Sequence, residues 1–204
     1  FRMLFHVDLI KFNSMLEEFQ KKLDAIECMM ENLGLLDSMI AIASYRESLS
    51  YYCVPELVKQ EKAFLESEDM YHPMLENPVA NTIKEERGVL VTGSNASGKS
   101  TFLKTVAISA VFAQTIHTCP ARQYRACYFQ IYSSMALKDN LQGNESYYIV
   151  EIKSLKRILN RVEEKTPLLC FVDEVLRGTN TIERISASAQ ILKSLAKVHV
   201  MCFA

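Results

Sequence analysis

The run Gly93-Ser94-Asn95-Ala96-Ser97-Gly98-Lys99-Ser100-Thr101 constrains this chain more than any other stretch, because it fits G-x-x-x-x-G-K-[ST] at every specified position. The apolar Val89-Leu90-Val91 leads in as a short buried strand predicted over 88–92, and a helix predicted over 99–113 leads out. Glycines let a backbone curl until successive N–H groups point at one anion, and the first turn of a helix adds its positive dipole end. Gly93 to Thr101 is therefore expected to wrap a phosphate group. Lys99 would reach the β- and γ-phosphates as a point charge. The Ser100 hydroxyl would ligate Mg2+, a hard cation that prefers oxygen. No Asn/Thr-Lys-x-Asp segment for reading guanine occurs in the chain, which favours ATP over GTP.

A second polar landmark stands far downstream, where the buried run Leu168-Leu169-Cys170-Phe171-Val172 ends in Asp173-Glu174. In a phosphate-loop enzyme the first acid holds Mg2+, and the second orients or deprotonates the attacking water. Asp173 is then the metal partner and Glu174 the base. Two acids can also simply end a strand in solvent.

The texture around these landmarks alternates short strands (127–132, 168–172, 198–204) with helices (146–162, 182–196), the pattern of an α/β domain with a mainly parallel sheet flanked by helices. Upstream the pattern is helical. Apolar residues recur at three- and four-residue steps from Leu9 to Met30, Gly34 interrupts, and a second helical stretch runs over 35–52. The pair predicts a helical arm or hairpin. Pro55, the charged stretch 59–69 and His72-Pro73 read as a connecting region. The division expected is a helical segment over 1–60 and a nucleotide-binding domain over 61–204.

A formal net charge of -1 leaves no polycationic footprint over the chain as a whole, so any nucleic-acid contact must be local or lie elsewhere. The six cysteines include no C-x-x-C pair and read as reduced cytosolic thiols, hence a cytoplasmic setting. No run reaches the ~18 apolar residues that span a bilayer, so membrane insertion within this chain is not expected. Phe1 is not an initiator methionine and Ala204 follows an apolar run directly, so both ends read as cuts in a longer protein. His117 and His199, alone in apolar surroundings, read as packed neutral side chains.

Four segments together resemble the MutS family of mismatch-repair ATPases. Asn95 stands two places after the first loop glycine. Asp173-Glu174-Val175-Leu176-Arg177-Gly178-Thr179-Asn180-Thr181 resembles the family's D-E-x-x-R-G-T-x-T. The run from Asp139 to Glu151 resembles D-[DN]-L-x-x-G-x-S-T-F-x-x-E, and His72-Pro73 with 77–81 resembles the segment before the loop. The resemblance implies a P-loop NTPase fold of ABC type, ATP and Mg2+ as ligands, and a homodimer that sandwiches nucleotide. In it Ser146, at a helix start, would face the γ-phosphate bound by the partner protomer, and 177–181 would lie across the interface. Ser146 also suits the N-cap of the helix that follows. With Lys99 and Glu174 it completes the implied catalytic set. The family also implies DNA as a partner of the full-length protein and coupling of the ATP cycle to movement of the helical arm.

Departures mark a divergent member. Gly143-Asn144-Glu145-Ser146-Tyr147 stands where MutS proteins commonly have Gly-Arg-Ser-Thr, and Pro78 takes the place of an aromatic that stacks on adenine. The family's mismatch-reading N-terminal domain, with its Phe-x-Glu wedge, has no counterpart in this chain. Two alternatives stay open: a nucleotide-gated binding module with little turnover, and another ABC-type ATPase, although the Leu-Ser-Gly-Gly-Gln run of transporters is absent.

Overall fold

The computed structural model describes residues 6–94, 97–135, 147–164, 166–173, 175–176 and 180–204. The chain divides into two compact units, the first ending at Ser48 and the second running from Leu49 to Ala204.

The first unit holds helices α1 (Val7–Lys21) and α2 (Leu23–Ser48). The break falls at Lys22, not at Gly34, which lies inside α2. One glycine in a helix interior costs only about 1 kcal/mol against alanine, and the Leu, Met and Ala around it outweigh that. A single linking residue is too short for the reversal of a hairpin, and helical bonding resumes at once with Ile26 N–H donating to Lys22 O over 3.0 Å. The two helices therefore follow one another without the turn of a hairpin. No described residue of either helix is buried. Their apolar stripe, including Phe12, Phe19, Met30 and Ile40, is exposed.

The second unit is a mixed α/β body with two small sheets rather than one mainly parallel sheet. The first sheet has the order β1 (Glu56–Val58), β4 (Gln123–Cys127), β2 (Leu65–Met70), β3 (Asn81–Glu85), and only its β1–β4 pair is parallel. The second has the order β5 (Gln130–Ser134), β6 (Leu168–Val172), β7 (Val200–Phe203) and is parallel throughout. The strand expected over 127–132 is really the end of β4 and the start of β5. At this crossing between sheets the Gln114 side chain holds the backbone of Phe129 twice, accepting from its N–H (2.6 Å) and donating to its carbonyl (3.1 Å). Likewise the expected connecting region over 55–73 contains β1 and β2.

Helices α3 (Lys99–Thr115), α4 (Tyr147–Arg161) and α5 (Thr181–Leu195) complete the unit. All five residues of β6 are buried, as a strand covered on both faces must be. The core under the glycine loop is aromatic: Phe171 of β6 stacks on Phe203 of β7 at 5.6 Å, and Phe102 of α3 meets Phe203 edge-on at 6.3 Å. These contacts seat the first turn of α3 on the parallel sheet.

Candidate functional site

The strand predicted before the loop survives as a parallel bridge between Val89 and Phe203, with Val89 N–H donating to Cys202 O (2.7 Å) and Val91 N–H to Ala204 O (2.6 Å). It therefore lies on the far side of β7 from β6. The loop that follows it and the acid that follows β6 both emerge at carboxyl ends of parallel strands, one strand apart. That crevice is where ligands bind in open α/β sheets.

The chain turns into α3 at Gly98, which has φ 90° and ψ 8°, a left-handed conformation that suits glycine. Gly93 is also tightly placed, since a Cβ there would come within 2.8 Å of Ser97 Oγ. Among the described residues no side chain caps the N-terminus of α3 and the helix carries no acid of its own in its first turn, so the N–H groups of its positive end are left for a ligand. Lys99 folds back across the loop, its Nζ donating to the carbonyls of Gly93 (2.8 Å) and Ser94 (2.7 Å).

The structure brings the two expected metal-binding groups together. Ser100 Oγ, in the first turn of α3, donates to Asp173 Oδ2 over 2.6 Å across 73 positions of sequence. Asp173 is fixed in turn by its own N–H, which donates to Ser134 O and carries the β5–β6 pairing one residue past β6. A hydroxyl and a carboxylate at this separation form an oxygen pair of the type a hard divalent cation takes. Gly93, Ser94, Ser97, Gly98, Lys99, Ser100 and Thr101 thus sit in one loop and helix start, with Asp173 against them. Asn95, Ala96, Ser146, Glu174 and Arg177 to Thr179 lie outside the described residues.

A cavity of about 440 Å³ opens beside the loop, lined among others by His72, Leu75, Asn77, Val79, Lys99 and Phe102. Its size suits a small organic ligand. Val79, and not Pro78, contributes to its wall. His72 is held there by Met74 N–H, which donates to Nδ1 at 3.3 Å. A separate apolar cleft of about 480 Å³, bounded by Leu90, Leu192, Leu195, Val198 and Ala204, contains none of the candidate residues.

Some contributions were not anticipated. Asn180 caps α5, its Oδ1 accepting from Ile182 N–H (3.0 Å) and Glu183 N–H (3.1 Å); an Asn three places before a Glu is a legible helix-start signal. Glu151 of α4 is 2% exposed and accepts a short hydrogen bond from Leu176 N–H. No sequence pattern shows which amide such a carboxyl will meet. Of the two histidines, His199 is partly buried with Nε2 at 2.8 Å from Val162 O, whereas His117 is exposed, with φ 47°, just after α3. Among the described residues no helix is long and apolar enough to cross a membrane.

Comparison with known proteins converges on one family. Residues 89–204, more than half of the chain, match MutS domain V. The chain is 31% identical over 194 residues to the DNA mismatch repair protein MutS of a Thermotoga species, covering 91% of this chain and 24% of that protein. It is 30% identical over 207 residues to the MutS protein homolog 4 of Mus musculus, covering 97% of this chain and 21% of that protein. It thus spans about a fifth to a quarter of the length of these relatives. The shared stretch contains the strand leading into the loop, the loop itself, and the Ser100–Asp173 pair, and on that match the chain belongs to the MutS family.

Proposed function

We propose that this chain binds ATP with Mg2+ and hydrolyses it as the motor part of a MutS-type protein. The observation that carries the reading is the Ser100–Asp173 hydrogen bond at the start of α3, beneath a glycine loop whose lysine is already turned inward. The residues fit the group. The uncapped end of α3 suits a phosphate, and Ser100 with Asp173 supplies oxygens for the metal. Bound Mg2+ would neutralise charge on the β- and γ-phosphate oxygens.

The rest follows from what these side chains can do. Lys99 now donates to two neutral carbonyls, and exchanging them for charged phosphate oxygens gives stronger, charge-assisted bonds. Glu174, next in the chain after Asp173, orients the attacking water and takes its proton. Ser146 from a second copy would add a donor to the γ-phosphate. The parallel β5–β6–β7 sheet with Val89 at its side supports a P-loop core of ABC type. In the same reading 61–204 forms the ATPase domain and 1–60 the end of a lever arm. The chain dimerises around nucleotide, the full-length protein works on DNA in the cytoplasm, and the departures at 143–146 make it a divergent member.

The experiment is Glu174→Gln. ATP·Mg2+ affinity should stay within about threefold of the parent while turnover falls by a factor of roughly 100 or more, the scale of a lost general base. Equal turnover would remove Glu174 from the role of base. Single-turnover kinetics on the parent separates a hydrolysing motor from a gated binding module.

A further inference from the structure

Two unfavourable features meet at one hydrogen bond just beyond the acidic pair. Leu176 has φ 53°, a left-handed backbone that a leucine adopts only when its surroundings impose it. Glu151, on the core side of α4, has a carboxyl buried at 2% residue exposure, with Oε2 lacking a hydrogen-bond partner among the described residues. An apolar residue would suit that position better, because a buried polar atom without a partner is destabilising. What the carboxyl does there is accept Leu176 N–H through Oε1. Leu176 is itself 6% exposed, and the turn is held from a second side by Arg184 Nε, which donates to Val175 O over 2.9 Å.

We propose that Glu151 is a positioning residue for hydrolysis: through its hydrogen bond from Leu176 N–H it fixes the turn at Val175–Leu176, the two residues that follow Glu174 in the chain. The inference rests on the reading of Glu174 as the base. Strain kept at a turn two residues from a reacting group is the usual mark of a constraint imposed for function. Glu151 lies outside the loop, so it should act on turnover and leave nucleotide affinity alone.

The test compares three variants of the intact protein by ATP·Mg2+ binding, kcat, KM and melting temperature. Glu151→Gln keeps an acceptor at the same reach and should retain most of kcat. Glu151→Asp keeps the charge but withdraws the oxygen by one methylene, and Glu151→Ala removes it. Both should lose about 10- to 100-fold in kcat, the scale of lost outer-shell support, with affinity within about threefold. If Ala proves too unstable to assay, the Gln and Asp pair decides. Asp turning over as well as Gln, or affinity and melting temperature falling in step with kcat, overturns the proposal. A parent protein that shows no Mg2+-dependent ATP binding would instead remove the reading of the site itself.

Discussion

Gly98→Ala isolates the backbone demand of the glycine loop from its sterics. Among the described residues an added Cβ meets nothing within 4 Å, but φ of +90° must now be held by an L-residue. Left-handed backbone costs such a residue about 1–2 kcal/mol, and the smaller unfolded-state entropy of alanine returns about 0.4–1 kcal/mol, leaving a net cost near 1 kcal/mol. If the free loop keeps the conformation, the cost appears as lower stability of the free protein. If the free loop relaxes, it appears as about fivefold weaker nucleotide binding. In either case the nucleotide-saturated protein bears the whole amount against its unfolded chain. Denaturant melts at saturating ATP·Mg2+ should therefore show a loss near 1 kcal/mol, or about 2–4 °C in thermal melts of a domain this size. Gly93→Ala differs in kind. Its Cβ meets the rotatable Ser97 Oγ at 2.8 Å, so pairing it with Ser97→Ala should recover its loss, whereas the same pairing should not rescue Gly98→Ala. Unchanged saturated stability in Gly98→Ala, or its rescue by Ser97→Ala, would refute the reasoning.

Phe171→Ala should cost about 3–5 kcal/mol, because a fully buried ring stacked on Phe203 is replaced by a cavity under α3; chemical denaturation measures it, and a loss under 1 kcal/mol would contradict the packing. Alkylation of the native protein followed by mass spectrometry should mark Cys28, which is exposed, and Cys53, whose thiol is held below its ordinary value by a hydrogen bond from Cys119. Cys119, pushed far up by burial, and Cys170, pushed up by its bond with Cys202 and by burial, should react only on unfolding.

The parts of this fold that were legible in sequence are those in which one local rule dominates. β6 is an unbroken apolar run, and the loop glycines, Lys99 and Ser100 stand in a spacing that only a strand–turn–helix serves. The first sheet was hidden because its strands carry charges that pair across the ladder. Glu66 faces Lys84 on β3 and Arg125 on β4, with contacts of 3.4 and 3.9 Å, and Arg125 also reaches Glu56 at 3.1 Å. Such pairs suit exposed strand faces but erase the apolar alternation by which strands are read. In the arm, Gly34 looked like a stop because glycine punctuates chains, yet nothing around it required a turn. At the site, the meeting of Ser100 with Asp173 could be anticipated from motif chemistry. The grip of Glu151 on Leu176 could not, because a helix residue gives no sign of which distant amide its carboxyl will meet.

Calorimetric titration of the folded protein with ATP, with and without Mg2+, for the parent and for Asp173→Asn, tests the central claim most directly. The parent should bind ATP in a strongly Mg2+-dependent manner, and the variant should lose most of the metal dependence while keeping metal-free binding through the loop amides and Lys99. Absence of Mg2+-dependent binding in the folded parent, or an Asp173→Asn variant with its full metal response intact, would contradict the assignment of Ser100 and Asp173 as the metal site of a nucleotide-binding loop.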